Sequence, residues 1–181
     1  PTRHTDPGTT FDDHLRRYVN ETRAKGGIPV LFNSIVRRNF VQPKDTSILK
    51  DVRRTPGESE PPKEGTVLFD THGAYLDSPR NVAKELGVAF IDMNKITHDL
   101  VEGLGPVESK KLFMFVEPDQ VPAFPKGRED NTHLNVYGAR VIAELAVEAI
   151  GKAVPELAPY IRHYDYVVAQ DGSGDFFTVQ E

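Results

Sequence analysis

An aspartate followed three residues later by a histidine, Asp130-Asn131-Thr132-His133, is the sharpest chemical feature of this 181-residue sequence. On a tight turn ahead of a helix, that spacing sets a carboxylate beside an imidazole. The carboxylate fixes the ring's tautomer and stabilises its charged form, and the other ring nitrogen is then free to take a proton from a hydroxyl nucleophile. The expected geometry is a carboxylate oxygen roughly 2.6–3.2 Å from His133 Nδ1, with Nε2 facing an open cleft. The same spacing also fits a plainer role, in which Asp130 caps a turn and His133 lies on the surface near a helix start. Asp70 and His72 have the D-x-H spacing used by some dinuclear metal hydrolases. His4, His14, His98 and His163 are scattered, so no converging ligand set, and no metal or other cofactor, is expected. With no cysteine in the chain, disulfides and thiol nucleophiles are excluded. The serines are Ser34, Ser47, Ser59, Ser78, Ser109 and Ser173, and none sits in a G-x-S-x-G elbow. Ser34 follows the first apolar run but has no adjacent glycine for a sharp turn, so it is not expected to attack.

The elements that must position these residues alternate. Thr10, with Asp13 three residues on, approximates a capping box opening a helix. Phe11, Leu15, Tyr18 or Val19, and Thr22 form its inner face, and Gly26-Gly27 stops it. Ile28–Val36 is an apolar run that predicts a buried strand of a parallel sheet. Residues 37–65 read as a long loop. Ser78–Leu86 predicts a helix with Ser78 as cap and Pro79 in its first turn, ended by Gly87. Val88–Met93 predicts a second strand, and Ile96–Leu104 a helix stopped by Gly105-Pro106. Leu112–Val116 is apolar and too short to type. Asn135–Val154 is the longest helical pattern, with Val136, Ala139, Val141 or Ile142, Leu145, Ala146 and Ala149 facing inward. This order predicts an α/β fold with parallel strands. A sheet of that kind normally has about four to six strands, so the rest is expected upstream of Pro1. The strand at 29–36 would then keep one edge uncovered.

Charge and hydropathy narrow the function classes. No apolar run is long enough to cross a membrane. Residues 1–54 carry 11 basic and 6 acidic side chains, and residues 55–181 carry 11 and 21. The basic residues are scattered and lack interleaved aromatics, so no nucleic-acid partner is expected.

The block Gly127–Ala139 (GREDNTHLNVYGA) resembles the last signature of the SGNH, or GDSL-type, hydrolases. There a D-x-x-H-x-N-x-x-G turn supplies the Asp and His of a Ser-His-Asp triad. In the same order Ile28–Arg38, Asp70-Thr71-His72-Gly73, Val82–Met93 and the D-x-x-H block resemble the second half of bacterial rhamnogalacturonan acetylesterases, over roughly residues 1–153. The resemblance implies a three-layer α/β/α domain over residues 1–160, with Asp130 and His133 as catalytic residues and a pectic polysaccharide as substrate. The family's G-D-S block with its nucleophile, and its G-x-N-D block, are missing from this sequence. The resemblance therefore implies the C-terminal part of such a domain, inactive by itself and completed by the upstream half of the same polypeptide. Val167–Glu181 (VVAQDGSGDFFTVQE) resembles the opening of pectinesterases, which implies that residues 164–181 begin a β-helix domain. Together these imply deacetylation of pectin in the periplasm or outside the cell. Two rival readings stay open: a non-catalytic sugar-binding module, and a metal-dependent phosphoesterase using Asp70, His72 and His133.

Overall fold

The computed structural model describes residues 4–41 and 66–162. Its first helix, α1 (Thr10–Ala24), starts differently from the expected capping box. Thr9 precedes it without a side-chain cap. Side chains of its first turn reach back instead to amides ahead of the helix: Asp12 Oδ1 accepts from Gly8 N at 2.8 Å and Thr10 Oγ1 from Asp6 N at 2.9 Å. Asp13 faces outward and pairs with Arg16. The ambiguity on the inner face resolves to Val19, which is fully buried, whereas Tyr18 is exposed.

The apolar run after α1 yields a shorter strand than expected, β1 (Val30–Phe32). It stops because Asn33 turns its amide to another element: Asn33 Oδ1 accepts from Asn94 N at 2.9 Å and Asn33 Nδ2 donates to Asp92 Oδ1 at 2.7 Å. Val36 N then donates to Thr97 Oγ1, so residues 33–36 run along a helix rather than continuing a ladder. The expected loop at 37–65 is pinned near its ends. β2 (Phe40–Val41) pairs antiparallel with β3 (Val67–Leu68), and residues 42–65 lie outside the described part.

A 3-10 turn at Gly73–Leu76 leads into α2 (Asp77–Leu86), so Ser78 is the second helical residue rather than the cap. Gly87 ends the helix in the left-handed region at φ 60°, a conformation glycine adopts without a Cβ penalty. β4 (Ala89–Ile91) pairs parallel with β1, Leu31 opposite Phe90. Asp92 caps α3 (Met93–Glu108), its side chain accepting from Lys95 N. The expected stop at Gly105-Pro106 is present as a break, because Gly105 takes the non-helical φ 72° and ψ 177°, and a second short run of helical turns follows it within the same span. The untyped run resolves to a 3-10 turn ending at Leu112, then β5 (Phe113–Val116). β6 (Arg128–Leu134) pairs antiparallel with β5, and α4 (Val136–Ala153) closes the order.

Among the described residues, parallel pairing thus holds for β1–β4 alone, and the other two strand pairs are antiparallel. The layering is α/β/α around the parallel pair. Leu31 packs with Val19, Val82 and Ala83 of α1 and α2, while Val30 and Ile91 pack with Ile142, Ala146 and Ile150 of α4. Alternate residues of β1 therefore serve opposite faces, as the strand period of two requires. A third cluster, Val36, Leu68, Val101, Leu112 and Phe113, ties α3 to β3 and β5. Burial of each such large side chain contributes about 1.5–3 kcal/mol. On α4 the expected inner face shifts, since Val136 is 56% exposed and Gly138 and Ile142 are buried. The putting of residues 164–181 into a β-helix falls outside the described residues.

Candidate active site

Asp130 and His133 sit on a strand, not on the simple pre-helix turn the spacing predicts. β6 pairs Arg128, Glu129 and Asp130 with Val116, Phe115 and Met114, and then jumps to pair Leu134 with Phe113. Residues 131–133 have no partner in β5 and form a looped-out turn inside the ladder, the way a bulge re-aims side chains. Asp130 closes that turn: its Oδ1 accepts from Thr132 N at 2.8 Å and from His133 N at 2.9 Å. Its Oδ2 lies 2.7 Å from His133 Nδ1 and 2.5 Å from Arg128 Nη2.

Four donors thus bring Asp130 to one protonation state. Burial raises its pKa, but the His133 amide, the Arg128 guanidinium, the Thr132 amide and the His133 ring outweigh it and hold the carboxyl well below the usual carboxylate range. An ionised Asp130 can only accept, so it places the proton on His133 Nδ1 and leaves Nε2 as the ring's working nitrogen. The Asp130 side chain is 12% exposed and the His133 ring 70%. The pair therefore presents a fixed base at the surface of a sheltered acid, able to take and return a proton at Nε2.

Two arginines absent from the expected site hold this turn. Arg128 lies over the Phe124 ring, 5.1 Å from its centroid, while reaching Asp130. Arg38, at the start of the stretch read above as a long loop, is 7% exposed. Its backbone N donates to Asn131 O at 2.8 Å and its Nη1 to Asn131 Oδ1 at 2.5 Å. Its Nε donates to Ser109 Oγ at 3.0 Å and its Nη2 to the Pro106 carbonyl. The guanidinium also lies 5.6 Å from the Phe40 ring centroid and 5.2 Å from that of Phe115. Burial lowers Arg38 to about 10, with the Glu129 charge opposing, so it remains a cation at neutral pH. The C-terminal side of the turn is fixed by Asn135. Its Oδ1 caps α4 at Gly138 N, and its Nδ2 donates to Lys111 O at 2.8 Å and Phe113 O at 2.9 Å.

A cleft of about 990 Å³ opens beside the site. Its lining includes Thr132, Ser34, Arg37, His72 and Tyr75, but not His133, which was expected to face a cleft. Among the described residues no serine hydroxyl is hydrogen-bonded to His133, whose Nδ1 meets Asp130. Ser34 is exposed on the cleft wall, and Ser78 and Ser109 are buried. Of the aromatics that could meet a sugar ring, Tyr75 lines the cleft, Phe124 lies under Arg128, and Tyr137 packs on the third core cluster. Asp70 pairs with His72, Oδ1 to Nδ1 at 3.1 Å, and His133 is not part of that pair. Among the described residues, no three His, Asp or Glu side chains come together as a metal-binding group.

The site so described is a carboxylate–imidazole pair on an α/β/α scaffold. The chain is 34% identical, over 170 residues, to the rhamnogalacturonan acetylesterase RhgT of Bacillus subtilis (strain 168), a match covering 94% of this chain and 61% of that protein. It is 23% identical over 150 residues to a probable rhamnogalacturonan acetylesterase, YesY, of the same organism, covering 83% of this chain and 54% of that protein. The chain therefore spans rather more than half the length of these curated relatives. No family model matches it. The likeness to rhamnogalacturonan acetylesterases over most of the chain agrees with the resemblance read from the sequence.

Proposed function

We propose that this chain carries the proton-transfer part of a carbohydrate esterase of SGNH type that removes acetyl groups from a pectic polysaccharide, rhamnogalacturonan. The observation that carries the reading is Asp130, sheltered and ionised, 2.7 Å from the Nδ1 of a histidine whose ring is 70% exposed. Two relatives named as rhamnogalacturonan acetylesterases support the substrate class. In the reaction, His133 Nε2 takes the proton of a serine hydroxyl as the oxygen attacks the acetyl carbonyl. His133 then returns that proton to the departing sugar oxygen, and in the second half activates the water that releases acetate. Asp130 keeps the tautomer and balances the imidazolium charge. In this proposal the attacking serine lies outside these 181 residues, a reading that rests on the missing G-D-S block; among the described residues no serine is hydrogen-bonded to His133. Export to the periplasm or beyond, and a pectinesterase-like domain opening at residues 164–181, belong to the same proposal; the latter rests on the sequence string alone.

The test is acetate release from acetylated rhamnogalacturonan by a chimera. It joins this chain to the part of RhgT that the match leaves uncovered, and is assayed with and without a chelator. The proposal expects turnover that the chelator leaves untouched. Turnover lost with the chelator, or a folded chimera that cleaves only phosphate esters, would move the protein to the metal-dependent class.

A further inference from the structure

Asp130 draws its donors from two sources. Thr132 N, His133 N and His133 Nδ1 belong to the looped-out turn itself, at 2.8, 2.9 and 2.7 Å. Arg128 does not. It stands two residues before Asp130 on β6, opposite Val116, where the strand period of two puts both side chains on one face. From there its Nη2 reaches Asp130 Oδ2 at 2.5 Å. Among the described residues this is the bond that ties the carboxylate to the regular ladder rather than to its own turn. The two amides fix Oδ1. The direction of Oδ2, and with it the plane of the carboxylate, is left to Arg128 and the imidazole.

The guanidinium is itself held. Its Cζ lies 5.1 Å from the centroid of the Phe124 ring, which the loop between β5 and β6 carries. Phe124 N donates to Val121 O at 2.8 Å, and Gly127 N to Phe124 O at 2.9 Å. Pro118, Pro122 and Pro125 lie in the same loop, each with φ fixed by its ring. Gly127, at φ 76°, lies so close to Val116 that a Cβ would stand 2.7 Å from its carbonyl oxygen. A loop built this stiffly sets where Phe124 can be, and so where Arg128 can point. Glu129, between Arg128 and Asp130, acts by its charge on Arg38 instead.

The molecule holds its own comparison. Asp70 and His72 form a second aspartate–histidine turn, with His72 N donating to Asp70 Oδ1 at 2.7 Å and Nδ1 lying 3.1 Å from the same oxygen. Asp70 Oδ2 accepts from Asn94 Nδ2 at 2.5 Å, a neutral amide where Asp130 has a guanidinium. Such a turn therefore forms without an arginine. The pair that has one is the pair whose histidine ring is 70% exposed, whereas the His72 side chain is 13% exposed.

We propose that Arg128, steadied on Phe124, is the positioning residue of the Asp130–His133 pair: it turns Asp130 Oδ2 toward His133 Nδ1 and so sets the aim of the working Nε2. The chemistry rests on the esterase reading, but the hydrogen bond concerned can be read without turnover. When His133 takes a proton at Nε2, its Nδ1–H and Arg128 donate to the same carboxylate oxygen. Flanked by two cations, Asp130 stays ionised, so the transferred proton stays on the ring and is returned from Nε2.

The test uses Arg128→Gln and Arg128→Lys, with Arg17→Gln, on the exposed face of α1, as the control for lost charge. In the RhgT chimera acting on acetylated rhamnogalacturonan, Arg128→Gln is expected to lower kcat about 10–100-fold with KM within about twofold, the pattern of lost aim rather than lost binding. Arg128→Lys, which returns a cation to Oδ2, is expected to recover most of that loss, and Arg17→Gln to match the parent. In the 181-residue chain, the His133 Nδ1 proton is expected to leave its low-field NMR position for higher field in Arg128→Gln and to keep it in Arg128→Lys. A kcat for folded Arg128→Gln within about twofold of the parent, a loss carried by KM alone, a lysine variant no better than the glutamine one, or a Nδ1 signal that holds its place or moves to lower field in Arg128→Gln overturns the proposal. If Arg128→Gln lacks the parent's thermal transition, Phe124→Leu decides, since it keeps the guanidinium and removes the ring it lies over: an unmoved Nδ1 signal there sinks the proposal. A parent chimera that releases no acetate removes the esterase reading and leaves the positioning role to the NMR result, whereas acetate release with a kcat indifferent to Arg128 does the reverse.

Discussion

At the scale of single residues, Asp130 is over-supplied with donors. Two amides, a guanidinium and an imidazole converge on its two oxygens. Its folded pKa therefore lies below its value of about 3.9 in an unfolded chain. A carboxylate depressed in this way contributes stability that is fully present above the unfolded value and lost as pH falls through the folded one. Asp70 and Asp92 are depressed in the same direction. Thermal melts of the chain should hold steady above about pH 5 and fall in midpoint below about pH 4. Asp130→Asn should flatten that acid limb; an unchanged limb would mean that Asp130 is no more acidic folded than unfolded. The same variant removes the anion that fixes His133 and should move its Nδ1 proton out of the low-field NMR region, whereas Arg37→Gln should leave that signal in place. A third expectation concerns Ser34. The chain by itself should release no acetate above background, because losing a nucleophile costs orders of magnitude in rate. Turnover abolished by Ser34→Ala would show that the attacking group lies in this chain after all.

At the scale of elements, the junction of β5, β6 and α4 decides whether the pair survives. A Cβ added at Gly138 would stand 1.9 Å from Leu112 O, a backbone atom that cannot swing away. Gly138→Ala should therefore cost about 1–3 kcal/mol or more in urea unfolding, against a small gain expected at an open helical position. Arg38→Met should cost about 2–4 kcal/mol, because it strands the Asn131 amide, the Ser109 hydroxyl and the Pro106 carbonyl in a buried site. A cost under 0.5 kcal/mol would mean that water replaces the guanidinium freely. Arg38 shows what the sequence could not display. Its partners lie 68 to 93 residues away, and no spacing within the Arg37-Arg38 pair reveals which arginine turns inward. Helices α1, α2 and α4 were legible within a residue or two, because apolar periodicity, Gly87 and the Asn135 cap are local signals. The length of β1 was not, because Asn33 ends it with bonds to residues 59 and 61 positions on. β5 stayed untyped for the same reason: four apolar residues take their strand form from pairing with β6. The Asp130–His133 contact was legible because both partners lie within one turn. The turn's place inside a strand was not, since it depends on the register jump opposite Phe113 and Met114.

At the scale of the whole molecule, β1 has one hydrogen-bonded neighbour, β4, among the described residues. Phe32 on that strand is 38% exposed. An open strand edge with apolar side chains invites pairing with another chain. The isolated chain should accordingly show concentration-dependent association in light scattering, relieved when the part of RhgT outside the match is joined to it. A strictly monomeric chain with a sharp reversible melt would show that this edge is covered within the 181 residues. Under the proposed function, the three-layer packing and the Arg38 clamp hold the turn that sets His133 against Asp130 for proton transfer. That central claim is tested most directly by acetate release from acetylated rhamnogalacturonan by the chimera, compared with the same chimera carrying His133→Ala or Asp130→Asn. The account predicts that His133→Ala abolishes turnover and that Asp130→Asn lowers kcat by about 10²–10⁴-fold, with the thermal transition retained. Acetate release at the parent's rate in a folded His133→Ala chimera would contradict it.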